Sequence, residues 1–205
     1  MKNVAIIDYG MGNLDSVARA VEECGGRPIV TEHAEDIGEA QSLVLPGVGA
    51  FAQGMANLRR LGLDTVIKEQ ASRHRIPLLG LCLGMQLLGS RGEEGGPAEG
   101  LDLIPGDVLR LVPDAPTTRV PHIGWNEIRI ERESPLLAGI PSGKDFYFVH
   151  SYHLAPRDRA DVVAETPYCG TFASVVRREN VHGVQFHPEK SQAVGFRLLR
   201  NFLAL

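Results

Sequence analysis

The sequence predicts an α/β fold with a mostly parallel central sheet flanked by helices and additional antiparallel strands in the second half. In the first half, short aliphatic runs alternate with segments whose apolar residues recur every three or four positions, which is typical of βαβ units. After about residue 90, strand-like runs follow one another directly, which is typical of antiparallel strands. The length of 205 residues and the lack of an evident linker indicate one domain over residues 1–205.

The first half begins with a buried strand at residues 4–7 and a glycine-rich turn at 10–13. A helix over residues 14–24 follows, because its apolar residues are spaced by three and four, and two glycines at 25–26 end it. Further strands are predicted at residues 28–31, 42–45 and 76–81, and further helices at about 52–60, 63–73 and through 85–88.

The second half opens with a glycine- and glutamate-rich stretch at residues 90–100, which we expect to be a surface loop. Residues 181–186 can pair with 172–177 across a turn at 178–180. A final helix spans residues 191–203, with its apolar residues on one side. The other predicted strands are residues 108–111, 127–130, 146–149 and 162–165.

Composition argues against several classes of function. The net charge is −4, and Lys and Arg are scattered, which argues against a nucleic-acid or anionic-membrane ligand. No apolar stretch approaches the roughly 20 residues of a membrane-spanning helix, and the N-terminus lacks a signal-peptide pattern, so we expect a cytoplasmic protein. Three widely spaced cysteines form neither a disulfide framework nor a CxxC metal motif, and we expect no metal or other cofactor.

Cys82 is the strongest candidate for a nucleophile. It lies in the run Gly-Leu-Cys-Leu-Gly at residues 80–84, between a strand and a helix, which is the pattern of a nucleophile elbow. Glycine at both flanking positions removes side chains that would clash in so sharp a turn. The helix N-terminus favours the thiolate, and the Leu83 N–H can donate to an oxyanion. Cys24 and Cys169 lack such a setting, and we interpret them as structural.

The run His-Pro-Glu at residues 187–189 supplies a base and a group to orient it, which a cysteine nucleophile requires. Proline holds the preceding residue in an extended conformation, and in an extended chain residues i and i+2 project to one side. Glu189 can therefore reach one ring nitrogen of His187 and leave the other free to face the thiol. His150 and His153 are closely spaced, but no acidic or thiol ligand accompanies them, so we expect no metal there.

Residues 80–86 and 187–190 resemble the signatures of the class I (triad) glutamine amidotransferases. The likeness runs from residue 4 to about residue 203 and implies the flavodoxin-like fold of that family. Further motifs, in order along the chain, resemble one branch of the family, which supplies ammonia to a cyclase in histidine biosynthesis. These motifs are residues 8–14, 45–51, 121–126 and 147–152.

The resemblance implies separate roles for the three members of a triad. Cys82 attacks the side-chain amide carbon of glutamine and forms a thioester, His187 transfers protons to ammonia and from water, and Glu189 orients His187. It also implies a partner, a cyclase subunit of TIM-barrel fold that receives the ammonia, either as a separate chain in a heterodimer or fused. Asn13 and Trp125 resemble residues of the interface region, although a tryptophan also suits an ordinary core position.

The resemblance also assigns positions for the oxyanion and the substrate. Val48, Gly49 and the Leu83 N–H correspond to the oxyanion region, and Gln86 to a residue that helps to bind glutamine. In the family, the peptide that joins Gly47 to Val48 is thought to point the wrong way until the partner activates the site. Glycine tolerates positive φ, so we expect this peptide to flip at low cost and to act as a gate.

Two other interpretations stay open. A peptidase or a γ-glutamyl hydrolase could share the elbow, although the Gly-Met-Gln at residues 84–86 and the position of Glu189 favour an amidotransferase. A nucleotide-binding module would explain the glycine-rich turn after the first strand. However, Asp15 occupies the place of the third glycine in the dinucleotide fingerprint.

Overall fold

The computed structural model describes residues 1–205 and contains a nine-stranded sheet, a four-stranded sheet and six α-helices. The strands are β1 (Asn3–Ile7), β2 (Arg27–Thr31), β3 (Ser42–Leu45), β4 (Leu78–Leu81), β5 (Arg91–Gly92), β6 (Ala98–Glu99), β7 (Gly106–Arg110), β8 (His122–Ile130), β9 (Lys144–His150), β10 (Tyr152–Pro156), β11 (Val162–Thr166), β12 (Phe172–Arg178) and β13 (Val181–Val184). The helices are α1 (Leu14–Glu23), α2 (Ala34–Glu39), α3 (Phe51–Arg60), α4 (Leu63–Ser72), α5 (Leu83–Leu87) and α6 (Gln192–Leu203). None of these helices is long and apolar enough to cross a membrane.

The parallel half of the large sheet has the strand order β2, β1, β3, β4 and β13, and every neighbouring pair is parallel. Helices cover both faces. Ala5 and Ile7 of β1 join the core that holds α2 to α5, whereas Val4 and Ile6 join the core that holds α1 and α6. Alternate side chains of a strand point to opposite faces, so a strand covered on both sides is apolar throughout. This is why β1 reads as a continuous aliphatic run.

The antiparallel half continues the same sheet through β13, β12, β11, β8 and β9. The predicted pairing of residues 172–177 with 181–186 is confirmed, and Glu179 takes a positive φ of 55° in the connecting turn. β13 therefore joins the two halves, parallel to β4 and antiparallel to β12. Because β4 and β13 are parallel neighbours, the segments that follow their carboxyl ends lie side by side. The α/β fold class is confirmed, with a sheet that is mixed.

Several predicted boundaries are wrong. Residues 90–100 are not only a loop, because they contain β5 and β6, which pair with each other in the four-stranded sheet β10-β7-β5-β6. Two elements were not predicted: α2, which has six residues, and β10, which follows β9 after a single residue. The strand predicted at residues 181–186 ends at Val184, because the chain then leaves the ladder towards the segment that holds His187.

Candidate active site

The turn between β4 and α5 presents Cys82 in a strained backbone conformation, with φ 51° and ψ −107°. Close contacts explain both flanking glycines. A Cβ on Gly84 would collide with the Leu45 carbonyl oxygen, and a Cβ on Gly80 would lie 2.7 Å from backbone atoms of Gly84. The Cys82 N–H donates to the Val184 carbonyl at 2.9 Å, which ties the turn to β13. The turn therefore has the geometry of an elbow, and α5 behind it is only five residues long.

His187 and Glu189 lie together after β13. The Nδ1 atom of His187 is 2.9 Å from Glu189 Oε1, and the two side chains are 5% and 3% exposed. The expected contact is present, but the geometry predicted for it is wrong in one respect. His187 is extended, with φ −102° and ψ 96°, whereas Glu189 lies in a 3₁₀ turn over Pro188–Lys190. Proline suits the first position of such a turn, where no backbone donor is needed, and the turn brings the carboxylate to the ring.

The backbone of His187 is held between β9 and α6. Its N–H donates to the Tyr147 carbonyl at 2.9 Å. The Ser191 hydroxyl donates to the His187 carbonyl at 2.6 Å and accepts the Tyr147 N–H at 3.0 Å. These three bonds fix the position of the imidazole independently of the thiol.

The charge environment of His187 suits proton transfer. Burial alone would lower its pKa, but Cys82 and Glu189 outweigh burial and raise the pKa to about 10. Its Nε2 atom is buried and makes no hydrogen bond of ordinary geometry. Cys82 raises the pKa of His187 both as a hydrogen-bonding neighbour of the ring and through its charge, and Glu189 acts in the same two ways. The arrangement favours an imidazolium beside the sulfur, with the carboxylate on its far side.

The sulfur of Cys82 has two further polar neighbours that the sequence did not predict. The Val149 carbonyl oxygen lies 3.8 Å from Sγ and can accept the thiol proton. The amide Nε2 of Gln185 lies 3.7 Å from Sγ and donates to it. One signal was available for Gln185, because it is a polar residue between the apolar Val184 and Phe186, two positions before His187.

The predicted oxyanion region does not present its donors. The Leu83 N–H donates to the Gly47 carbonyl at 3.3 Å and is therefore occupied. Val48 is 51% exposed, and Gly49 has a φ of 128°. Rotation of the peptide between Gly47 and Val48 changes ψ of the first residue and φ of the second. We expected a low-cost flip because glycine tolerates positive φ. That reason is wrong, because the change in φ falls on Val48, a β-branched residue, and not on Gly47.

Gln86 lies one helical turn after Cys82 and is 3% exposed. Its Nε2 donates to the Tyr152 carbonyl at 2.8 Å and to Gln185 Oε1 at 3.3 Å. Both amide protons are therefore used within the protein, and only the carbonyl oxygen of Gln86 is left for a ligand.

His150 is not free to hold a metal, because a buried histidine pair uses both of its ring nitrogens. His150 Nδ1 is 2.9 Å from the Tyr152 carbonyl, which can only accept, so this nitrogen carries the proton. His150 Nε2 then accepts from His122 Nδ1 at 3.0 Å. Asn126 Nδ2 lies 3.2 Å from the remaining nitrogen of His122. Burial lowers the pKa of His150 to about 3 and that of His122 to about 4, so both rings are neutral.

The two residues expected at a partner interface are both accessible. Asn13 is exposed, and its side chain accepts the Ser16 N–H at 3.3 Å, which caps α1. Trp125 is 49% exposed and packs edge-on against Tyr147. The core position that we considered for Trp125 is therefore wrong. Ile123, two residues earlier on the same face of β8, is 61% exposed.

A strained thiol beside a buried imidazole–carboxylate pair defines a triad of the amidotransferase type, and the comparison with known proteins agrees. Residues 5–205 match the family described as glutamine amidotransferase class-I. The chain belongs to this family. The relatives it matches include the imidazole glycerol phosphate synthase subunit HisH of Moorella thermoacetica, with 52% identity over 98% of this chain and 94% of that protein. The HisH subunit of Geobacillus thermodenitrificans is 46% identical over 100% of this chain and 97% of that protein.

Solved structures support the fold. One described as a glutamine amidotransferase superposes with a TM-score of 0.75 and 18% identity, covering 98% of this chain and 97% of the other. The structure of PurLQS from Thermotoga maritima gives a TM-score of 0.73 at 17% identity, covering 100% and 99%. At this level of identity the likeness concerns the architecture alone.

Proposed function

We propose that this chain is the glutaminase subunit of an imidazole glycerol phosphate synthase, and that it hydrolyses glutamine to glutamate and ammonia. The observation that carries the proposal is the placement of Cys82 at a strained elbow beside His187, whose other ring nitrogen is held by the buried Glu189. The names of the HisH relatives, which match nearly the whole chain, support the same activity. Residues 1–205 act as one amidotransferase domain in this proposal, and the biosynthetic names of the relatives favour the cytoplasm as its compartment.

The triad performs the reaction in two halves. The Cys82 thiolate attacks the amide carbon of glutamine, and His187 gives its proton to the departing nitrogen, which leaves as ammonia. The product of this half is a thioester between the sulfur and the glutamyl carbonyl. His187, now neutral, takes a proton from water, and the resulting hydroxide attacks the thioester. The C–S bond breaks, glutamate leaves, and the thiolate–imidazolium pair is restored while Glu189 keeps the ring oriented.

The oxyanion region gives the proposed enzyme a gate. Each half of the reaction passes through a tetrahedral oxyanion that needs backbone donors. The Leu83 N–H is occupied by the Gly47 carbonyl, and turning the Gly47–Val48 peptide would free it and bring the Val48 N–H to the same space. The loss of one donor typically lowers the rate about a hundredfold to a thousandfold. The isolated chain, whose gate is closed, should therefore hydrolyse glutamine slowly.

The proposed partner is a cyclase subunit of TIM-barrel fold that receives the ammonia. The relatives are named as subunits of a synthase, which supports a complex. Val48, Ile123 and Trp125 are large apolar residues that are about half or more exposed, and such side chains favour a protein interface. Ile123 pairs with Val149, whose carbonyl approaches the Cys82 sulfur, so this face lies close to the nucleophile. Asn13 is a further proposed contact of the partner.

Ammonia release tests the proposal and separates it from the alternatives. We expect the isolated chain to release little ammonia from glutamine. Addition of the cyclase with its nucleotide ligand should raise the rate about a hundredfold or more, and Cys82→Ser should remove it. Peptides and γ-glutamyl peptides serve as competing substrates. Faster hydrolysis of either one than of glutamine would favour a peptidase or γ-glutamyl hydrolase, and full activity of the isolated chain would contradict the gate.

A further inference from the structure

Gln185 is a completely buried amide between the nucleophile and Gln86. It follows β13 directly and lies two residues before His187. Its Oε1 is 3.3 Å from Gln86 Nε2, and its Nε2 is 3.7 Å from Cys82 Sγ. Burying an amide without partners is costly, so these contacts are what holds it beside the sulfur.

The hydrogen-bond network fixes which end of the Gln185 amide faces the sulfur. The Tyr152 carbonyl can only accept, so the Gln86 atom that lies 2.8 Å from it must be the nitrogen. That nitrogen has one further proton, and the Gln185 atom nearest to it must therefore be the acceptor oxygen. The nitrogen of Gln185 is left to face Cys82. The orientation thus follows from a backbone carbonyl and does not depend on distinguishing the two ends of an amide.

A donor in this position distinguishes the two forms of the sulfur. The neutral thiol is a weak acceptor and can give its own proton to the Val149 carbonyl at 3.8 Å. The thiolate is a strong acceptor that gains from the Gln185 N–H and is repelled by that carbonyl. Because α5 has only five residues, its N-terminus stabilises the thiolate to a limited extent. A side-chain donor can therefore add measurably to this stabilisation.

We propose that Gln185 stabilises the Cys82 thiolate through its amide N–H, and that Gln86 and the Tyr152 carbonyl hold that N–H in place. Gln185 is then a fourth residue of the catalytic machinery, in contact with the reacting sulfur on a side other than that of His187. The inference rests on the proposed function for the role of Cys82, but the effect on the thiol is measurable without glutamine.

The test follows the alkylation of Cys82 by iodoacetamide across pH in the full chain, using peptide masses. Gln185→Met removes the donor and keeps a side chain of similar length. Gln185→Glu keeps the acceptor for Gln86 and replaces the donor with an oxygen. We expect the midpoint of the pH dependence to move upward in both variants, with the larger shift in Gln185→Glu. At neutral pH the alkylation rate should fall about tenfold, as expected for the loss of a hydrogen bond to a charged group.

The chain provides its own controls. Cys24 and Cys169 are free cysteines that make no hydrogen bond with the Gln185 side chain, so their alkylation rates in the same samples should not change. Ser174→Ala is a matched variant. The buried Ser174 hydroxyl has no hydrogen-bond partner, and the Ser174 carbonyl, which the substitution keeps, accepts the backbone N–H of Gln185. It should leave the Cys82 profile unchanged.

Two failures can be told apart. If folded Gln185→Met and Gln185→Glu both keep the wild-type midpoint for Cys82, the inference about Gln185 is wrong even when the wild-type complex releases ammonia. If the wild-type complex releases no ammonia from glutamine while both midpoints move as described, the proposed function fails and the contact between Gln185 and the thiolate stands.

Discussion

We expect Val48 to determine how easily the proposed gate opens. It lies outside the positive-φ region in this structure, and rotation of the preceding peptide by about half a turn would carry it there. For an L-residue such a conformation costs roughly 1–2 kcal/mol. The side chain is half exposed and contributes little to the core. We therefore expect this residue, rather than Gly47, to bear the backbone strain of the open state.

We expect Val48→Gly to raise the basal glutaminase rate of the isolated chain about tenfold, since glycine removes the positive-φ penalty and each 1.4 kcal/mol corresponds to a factor of ten. Val48→Ala removes the same methyl groups and keeps the penalty, so it should stay near the wild-type rate. Initial rates of ammonia release without the partner check both variants. Equal rates in the glycine and alanine variants would show that φ at this position does not limit the gate.

The proposed triad could be predicted from the sequence because each of its parts carries a local signal. The elbow needs glycine at fixed positions, as the contacts of Gly80 and Gly84 show, and a His-Pro-Glu run places its carboxylate within reach of its ring. Gln185 was missed because its partner is 103 positions away along the chain. A contact of that kind depends on the order of strands, which no local pattern encodes.

A buried histidine on β13, His182, makes the stability of the fold depend on pH. His182 is 2% exposed, its Nδ1 has no hydrogen-bond partner, and burial with the nearby Arg177 lowers its pKa to about 4. In the unfolded chain His182 binds a proton near pH 6.5, whereas in the folded chain it stays neutral at that pH. Stability from this residue is therefore complete above about pH 6.5 and declines as the pH falls from there towards 4.

We expect His182→Leu to lose less stability than the wild type between pH 7.5 and pH 5.5, as measured by the urea concentration at half unfolding. The variant should still lose some stability in this range, because it keeps His122 and His150, which burial also holds neutral. His33→Gln, at an exposed position, is the control and should follow the wild type. An equal decline in His182→Leu would contradict the assignment.

The elements differed in how well they could be predicted. The parallel strands are covered on both faces and appear as aliphatic runs, so their positions were correct to within about two residues. α2 is too short to show a helical period. β5 and β6 have two residues each, and they are strands only because β5 pairs with β6 on one side and with β7 on the other. Tertiary contacts, rather than local propensity, create such elements.

Across the molecule, the site depends on one strand that joins the parallel and antiparallel halves of the large sheet. β13 is parallel to β4, which ends at the elbow, and antiparallel to β12. It therefore places Gln185, His187 and Glu189, which lie near the end of the sequence, beside Cys82, which lies near its middle. The same arrangement brings β9 near the sulfur through Val149, and β9 pairs with β8, which carries the exposed Ile123 and Trp125. The face proposed for the partner is thus one strand away from the strand that contacts the sulfur.

We propose that Cys82 is a nucleophile that works fully only when a partner opens the oxyanion region. The most direct measurement is labelling by an electrophilic glutamine analogue, followed by peptide mass, in the chain alone and in complex with the cyclase and its nucleotide ligand. We expect one adduct on Cys82, formed slowly in the isolated chain and much faster in the complex, with ammonia release lost in proportion to labelling. Labelling of Cys24 or Cys169 in its place, or complete labelling of Cys82 with ammonia release intact, would contradict it.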